Sequence, residues 1–229
     1  MKYLIVNADD FGASRGINRG IIEAHRNGIV TSTSLIVNTP FGEEAAKLAN
    51  EARHLSVGLH VDLPKAPDAT TERLREVLQR QFARFVELMG RPPSHLDSHH
   101  NLHRDPKALP EFLELASKHG LPLREHSPVR YFSKFYGQWG GETHFEQISV
   151  KALRRMLETE IEDGITELSC HPGYAEPDYP GSYCVEREAE LRTLCDLVIR
   201  DVLAAHSIQL ISYHDLDKLA VGLANRGAS

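Results

Sequence analysis

The sequence predicts an α/β fold of about seven mostly parallel strands alternating with helices in a barrel-like arrangement. Three observations carry that expectation. Short apolar runs alternate with amphipathic stretches along the chain, glycines close several of the helices, and acids and histidines recur where strands should end.

Residues 2–7 form the first apolar run and first strand, followed by a loop over 8–15 that holds Asp9 and Asp10. A helix over 16–27 places Ile17, Ile21 and Ala24 on one face, with Gly28 in the stop position. Residues 30–38, rich in Thr, Ser, Val and Ile, suit the second strand. A helix over 41–53 carries Ala45, Leu48, Ala49 and Ala52. The third strand spans 55–61 and ends near His60, and the segment 62–69, with two prolines, is a loop.

The clearest periodicity lies in 71–89, where Leu74, Leu78, Phe82, Phe85 and Met89 follow a 4-4-3-4 spacing. Gly90 ends that helix and Pro92-Pro93 prevents its continuation. A fourth strand runs into His95-Leu96-Asp97-Ser98-His99-His100-Asn101-Leu102-His103, a helix follows over 106–119, and 121–124 reads as a brief fifth strand. The long segment 125–147 concentrates Tyr131, Phe132, Phe135, Tyr136 and Trp139, which suit either a small satellite core or a surface for stacking on a sugar. Ser149 caps a helix through 163, with Leu153, Met156, Leu157 and Ile161 inward. The sixth strand, 166–170, ends at His171-Pro172-Gly173. A helix over 187–206 carries Leu191, Leu194, Cys195, Val198 and Val202 as its apolar stripe, the seventh strand is 209–213, and 215–220 turns once before a frayed tail.

A barrel of 229 residues can be a single domain covering 1–229. The net charge of -6 arises from 32 acids and 26 bases without a long run of either sign, which argues against nucleic acid and anionic membranes as partners. No stretch approaches the ~20 apolar residues of a membrane span, and the N-terminal run turns acidic too early for a signal peptide. Cys170, Cys184 and Cys195 are odd in number and form no CxxC pair, so a reducing cytoplasmic location is expected.

Parallel β/α folds carry their chemistry at the C-terminal ends of strands. Here those ends bear Asp9 and Asp10, His60, Asp97 and His99, and His171. Alternation would place His95, Asp97 and His99 on one side of the fourth strand. Asp10, His60 and His99 are the candidate ligands of one divalent metal ion, because two imidazoles and a carboxylate leave positions open for water and substrate. Such a donor set admits zinc, magnesium, manganese, nickel or cobalt, and one ion, magnesium or zinc, is expected. Asp9 is then the candidate base and His171 the candidate acid. Each residue alone has a plainer reading: an Asp pair starts helices, and a lone histidine at a strand end is commonly structural.

Taken together, Leu4-Ile5-Val6-Asn7-Ala8-Asp9-Asp10-Phe11-Gly12, Asn27-Gly28-Ile29-Val30-Thr31-Ser32-Thr33, Val57-Gly58-Leu59-His60, His95-Leu96-Asp97-Ser98-His99-His100 and Ser169-Cys170-His171-Pro172-Gly173 closely resemble the YdjC family of carbohydrate deacetylases. The resemblance extends to about Leu216. It implies an incomplete or distorted (β/α) barrel and metal-dependent removal of an N-acetyl group from an amino sugar or oligosaccharide. It implies the same ligands, base and acid, and adds Arg124, which matches a Leu-Arg pair and would orient the base or bind the acetyl group. Asp97 and His103 are further candidates for contacting substrate or backing the ligands. Two departures stand out: relatives active on chitooligosaccharides carry a longer segment after the strand-three histidine than 62–69, and Asn101 replaces a histidine.

Two other readings fit parts of the pattern. One is a different metallohydrolase, for instance of phosphoesters, against which the scarcity of Lys and Arg near the candidate ligands counts. The other is a non-catalytic sugar- or metal-binding module, against which the complete set of ligands, base and acid counts. An aromatic loop donated across a subunit boundary would also suit a homo-oligomer.

Overall fold

The strand that opens the chain is buried along all but its first residue and organises the sheet. The computed structural model describes residues 1–63, 70–177, 179 and 181–219. Its strands are β1 (Lys2–Phe11), β2 (Ser32–Leu35), β3 (Ser56–Val61), β4 (Leu96–Ser98), β5 (Arg130–Phe132), β6 (Gln138–Trp139), β7 (Glu142–Thr143), β8 (Gly164–Cys170) and β9 (Ile208–Leu210). The helices are α1 (Arg15–Asn27), α2 (Gly42–Glu51), α3 (Thr71–Met89), α4 (Leu109–His119), α5 (Val150–Thr159), α6 (Val185–Leu194) and α7 (Leu197–Ala205).

The main sheet is parallel, in the order β4-β3-β2-β1-β8-β5. β9 also pairs with β1, at Lys2–Leu4. The carbonyls of Leu4 and Val6 accept from the N–H groups of Ile211 and Thr31. Residues of the same parity on a strand point their backbone groups to the same side, so β9 and β2 share one edge of β1 and β8 holds the other. Apolar helix faces cover the sheet: Leu78, Phe85 and Met89 from α3 and Leu153, Met156 and Leu157 from α5 are buried, with Leu74 and Phe82 packed partly against the same core.

The barrel is incomplete between β4 and β5. The expected fifth strand over 121–124 reduces to a single bridge from Leu123 to Leu96. Glu125 then adopts a left-handed conformation (φ 63°) and turns the chain away. The strand that does form, β5, lies inside the segment expected to be irregular, and it pairs with β8. That segment also holds the β6–β7 hairpin, closed by Gly140 and Gly141 at φ 62° and 81°, the conformation a tight hairpin turn requires.

Two further expectations are corrected. β1 does not stop at residue 7 but continues through Asp9 and Asp10, because its far end pairs with β2. The expected helix over 187–206 is two helices: Asp196 leaves the helical path and its side chain accepts from the N–H of Val198 at 2.9 Å, starting α7 afresh. The new register turns Val198 outward, 43% exposed, and buries Ile199, Val202 and Leu203. Replacing Asp196 with Ala should remove the cap and cost about 1 kcal/mol. That corresponds to a Tm lower by roughly 2–4 °C in thermal unfolding; an unchanged Tm would show that packing alone sets the break. The expected loop at 62–69 and the frayed tail lie largely outside the described residues.

Candidate active site

The C-terminal ends of β1, β3, β4, β5 and β8 surround a cavity of ≈ 330 Å³. Asp9, Asp10, His60, His99, Tyr131, Tyr136, His171 and Arg187 are among its lining residues. In a regular strand Asp9 and Asp10 would face opposite sides of the sheet. The β1–β2 register shifts between Ala8 and Phe11, and Asp10 has φ 70°. This local bulge lets both carboxylates line one cavity. Aspartate is among the residues that tolerate such a conformation best.

Asp10 Oδ1 lies 3.0 Å from His99 Nδ1 and 3.4 Å from His60 Nε2. The three groups offer one oxygen and two ring nitrogens that all lie within 4.8 Å of one another. His60 Nδ1 is 2.8 Å from Asp97 Oδ1, so its other nitrogen faces Asp10. Burial opposes a charge on the His60 ring, but Asp97, Asp10 and Asp9 outweigh it and raise the imidazole to about 10. Asp9, His60 and Asp97 make a second grouping with suitable distances. Its two carboxylates, however, already pair with Arg124.

Arg124 lies buried beneath the cavity and does not line it. Its guanidinium meets Asp9 in a two-point pair (2.8 and 2.9 Å) and also reaches Asp97 and Glu167, each at 2.6 Å. Burial alone would raise the Asp9 carboxyl, yet Arg124 holds it below the usual carboxylate range. Asn7 adds a hydrogen bond to Asp9 Oδ1 at 2.8 Å, and Tyr213 donates to Glu167 at 2.6 Å. Asp97 accepts from Ser34 at 2.7 Å. His171 also lines the cavity, its Nε2 3.9 Å from Asp9 Oδ2, with Tyr136 and Tyr183 T-shaped to its ring. His103 is elsewhere: it is buried, bonded to Ser98 and Glu125, and does not line the cavity.

The aromatic segment divides. Phe132 and Phe135 join the core, Tyr131 and Tyr136 line the cavity, and Trp139 stacks on His144 at the surface. The residues of the site that escaped the sequence reading include Asn7, Glu167, Arg187 and Glu190. Arg187 donates to Asp10 Oδ2 at 2.5 Å and to the Tyr179 hydroxyl at 3.0 Å. A signal was present. Arg187 and Glu190 stand at the same helical spacing as Leu191 and Leu194, so two charged residues occupy a core-facing stripe. The expected scarcity of cations near the ligands is thereby corrected, although Arg124 and Arg187 are both engaged by carboxylates.

α1 lies directly on the segment that carries His171. A Cβ on Gly20 would stand 2.5 Å from the Cα of Gly173, so only glycine permits this approach.

The family described as YdjC-like protein matches residues 3–205. The chain belongs to that family. A carbohydrate deacetylase from Geobacillus stearothermophilus is 35% identical, over 95% of this chain and 99% of its own length. A chitooligosaccharide deacetylase from Serratia marcescens is 34% identical, over 94% and 99%. Among solved structures, an Enterococcus faecalis V583 protein described as a cellobiose-phosphate cleavage protein superposes with a TM-score of 0.79. It is 28% identical, over 94% of this chain and 98% of that one. Among the described residues, no helix of this family member is long and apolar enough to cross a membrane.

Proposed function

We propose that the protein is a metal-dependent hydrolase that removes an N-acetyl group from an acetylated amino sugar or oligosaccharide. The observation that carries this reading is the convergence of Asp10, His60 and His99 in one cavity, with Asp9 and His171 beside them. The deacetylase relatives support the same reaction class.

Asp10, His60 and His99 would hold one divalent ion. The donor set fits, because the Asp97 contact directs a ring nitrogen of His60 toward Asp10. A cation bound there supplies Lewis acidity toward an acetamide oxygen and lowers the pKa of water beside Asp9. Asp9 stays ionised and is aimed by Arg124, so it accepts the proton of the attacking water. His171, whose Nε2 lies 3.9 Å from Asp9, gives a proton to the departing nitrogen. Tyr131, Tyr136 and Tyr179 would wall the space for a sugar, their rings packed against Arg124, Tyr183 and Arg187. A phosphoester substrate is disfavoured because Arg124 and Arg187 already pair with Asp9, Asp97, Glu167 and Asp10.

The test is acetate release from a panel of N-acetylated mono- and oligosaccharides, with magnesium, zinc, manganese, cobalt or nickel supplied. Release should fall to background with a chelator and return when the metal is restored. Release that persists in chelator would remove the metal from this reading, and cleavage of phosphodiesters but no acetamide would replace the reaction class.

A further inference from the structure

Burial is the leading influence on His171 and lowers its imidazole to about 4, although Asp9 and Asp10 act in the opposite sense. The ring is therefore neutral at pH 7. A neutral imidazole can release the proton on Nε2 at low cost only if Nδ1 receives another in exchange. Among the described residues His171 Nδ1 is buried without a hydrogen-bond partner, and Glu190 Oε1 lies 3.9 Å from it.

Glu190 is fully buried on α6 and does not line the cavity. Its Oε2 accepts the backbone N–H of His171, and its Oε1 accepts the hydroxyl of Tyr183. That hydroxyl is fixed in turn by the N–H of Gly137 at 2.8 Å. Among the described residues, the ionisable groups around Glu190 are Arg187 on its own helix, Asp9 from β1, Cys170 and His171 at the end of β8, and Tyr136 and Tyr183 from the flanking loops. Burial dominates the Glu190 carboxyl and raises it to about 8, against hydrogen bonds from His171 and Tyr183 and the charge of Arg187. At pH 7 it retains its proton.

We infer that Glu190 is a positioning residue that holds the His171 backbone and replaces, at Nδ1, the proton that His171 delivers from Nε2. The inference rests on the deacetylase reading. As the amide C–N bond breaks, its electron pair goes to nitrogen, which takes the Nε2 proton of His171. The Glu190 carboxyl proton passes to Nδ1 once the pair closes to hydrogen-bonding distance, a tightening common when substrate fills a site. His171 remains neutral in its other tautomer and Glu190 becomes a carboxylate. Asp9, which has gained a proton from water, and Glu190, which has lost one, are restored by exchange with solvent.

A carboxyl ¹³C titration of the magnesium-loaded, glutamate-labelled protein tests the pair without a substrate. One resonance should titrate near pH 8 and be missing from E190Q; a Glu190 resonance already ionised at pH 6 overturns the inference. Kinetics use N-acetylated sugars and 4-nitrophenyl acetate, whose leaving phenolate needs no proton. E190Q should lose about 100-fold in kcat on the amide, with KM little changed, and fall far less on the ester. E190D should recover part of the loss. Wild-type amide turnover should fall as pH rises through about 8, where Glu190 gives up its proton, and E190Q should lack that limb. Equal losses on both substrates with an unchanged pH profile would make Glu190 merely structural and overturn the inference. If the carboxyl titrates as expected but no acetylated sugar is hydrolysed, the deacetylase reading fails.

Discussion

Replacing Asp9 with Asn is expected to lower kcat for acetate release by about 10³-fold, within the range for loss of a positioned general base. KM should change little, and Tm should fall by less than it does on replacement of Arg124. Asn keeps the volume, and Arg124 retains Asp97 and Glu167 at 2.6 Å each, so the guanidinium is not left unpaired. Steady-state kinetics on an acetylated sugar, with thermal unfolding alongside, check both halves of the expectation. A variant within tenfold of wild type would show that Asp9 is not the base.

The Arg124→Met substitution should instead be read in stability. It leaves Asp9, Asp97 and Glu167 buried without their common cation. Breaking a buried pair from one side costs about 3–5 kcal/mol. For a chain of this size that lowers Tm by roughly 6–20 °C. The sign of the pH dependence follows from the carboxylates. Burial opposes ionisation of Asp9 and Asp97, but Arg124 leads the influences that hold both below the usual carboxylate range. Their stabilising contribution is therefore complete above about pH 4 and disappears as pH falls through the folded-state values. The difference between wild type and variant should be largest near neutrality and shrink in acid. Glu167 works in the same direction in the variant, since burial already raises it even with Arg124 in place and protonation relieves it. Unfolding at pH 7 and below pH 4, where the carboxylates begin to protonate, measures this; a Tm loss below 2 °C at pH 7 would refute it.

The elements most legible in the sequence were those whose period and stop signals agree. The helix expected over 71–89 is observed as Thr71–Met89, and Gly90 closes it at φ 67°. The helix expected over 187–206 failed because Leu191, Leu194, Val198 and Val202 keep an apolar period across a real break. The aspartate cap that makes the break costs the pattern nothing. The strand at 130–132 was hidden for another reason. Its pairing with β8 joins residues 36 positions apart, as in Arg130 with Thr166, and no local period encodes such a partner.

For the site, the sequence by itself determined which residue types stand at the strand ends: Asp9 and Asp10, His60, Asp97 and His99, and His171. It also placed the chain in a β/α class, because each element's apolar period is local and survives in the linear order. Only the tertiary structure decided how those groups relate. A bulge and a positive φ turn both Asp9 and Asp10 to one cavity, Arg124 crosses beneath it to three carboxylates, and Arg187 and Glu190 enter from a helix that reads as an ordinary amphipathic face. The physical reason is that a charge is tolerated in a buried position only by virtue of its partners. The arginine partners of these carboxylates lie 27 to 177 positions away along the chain, as in Asp97 with Arg124 and Asp10 with Arg187, and only folding brings them within bonding distance.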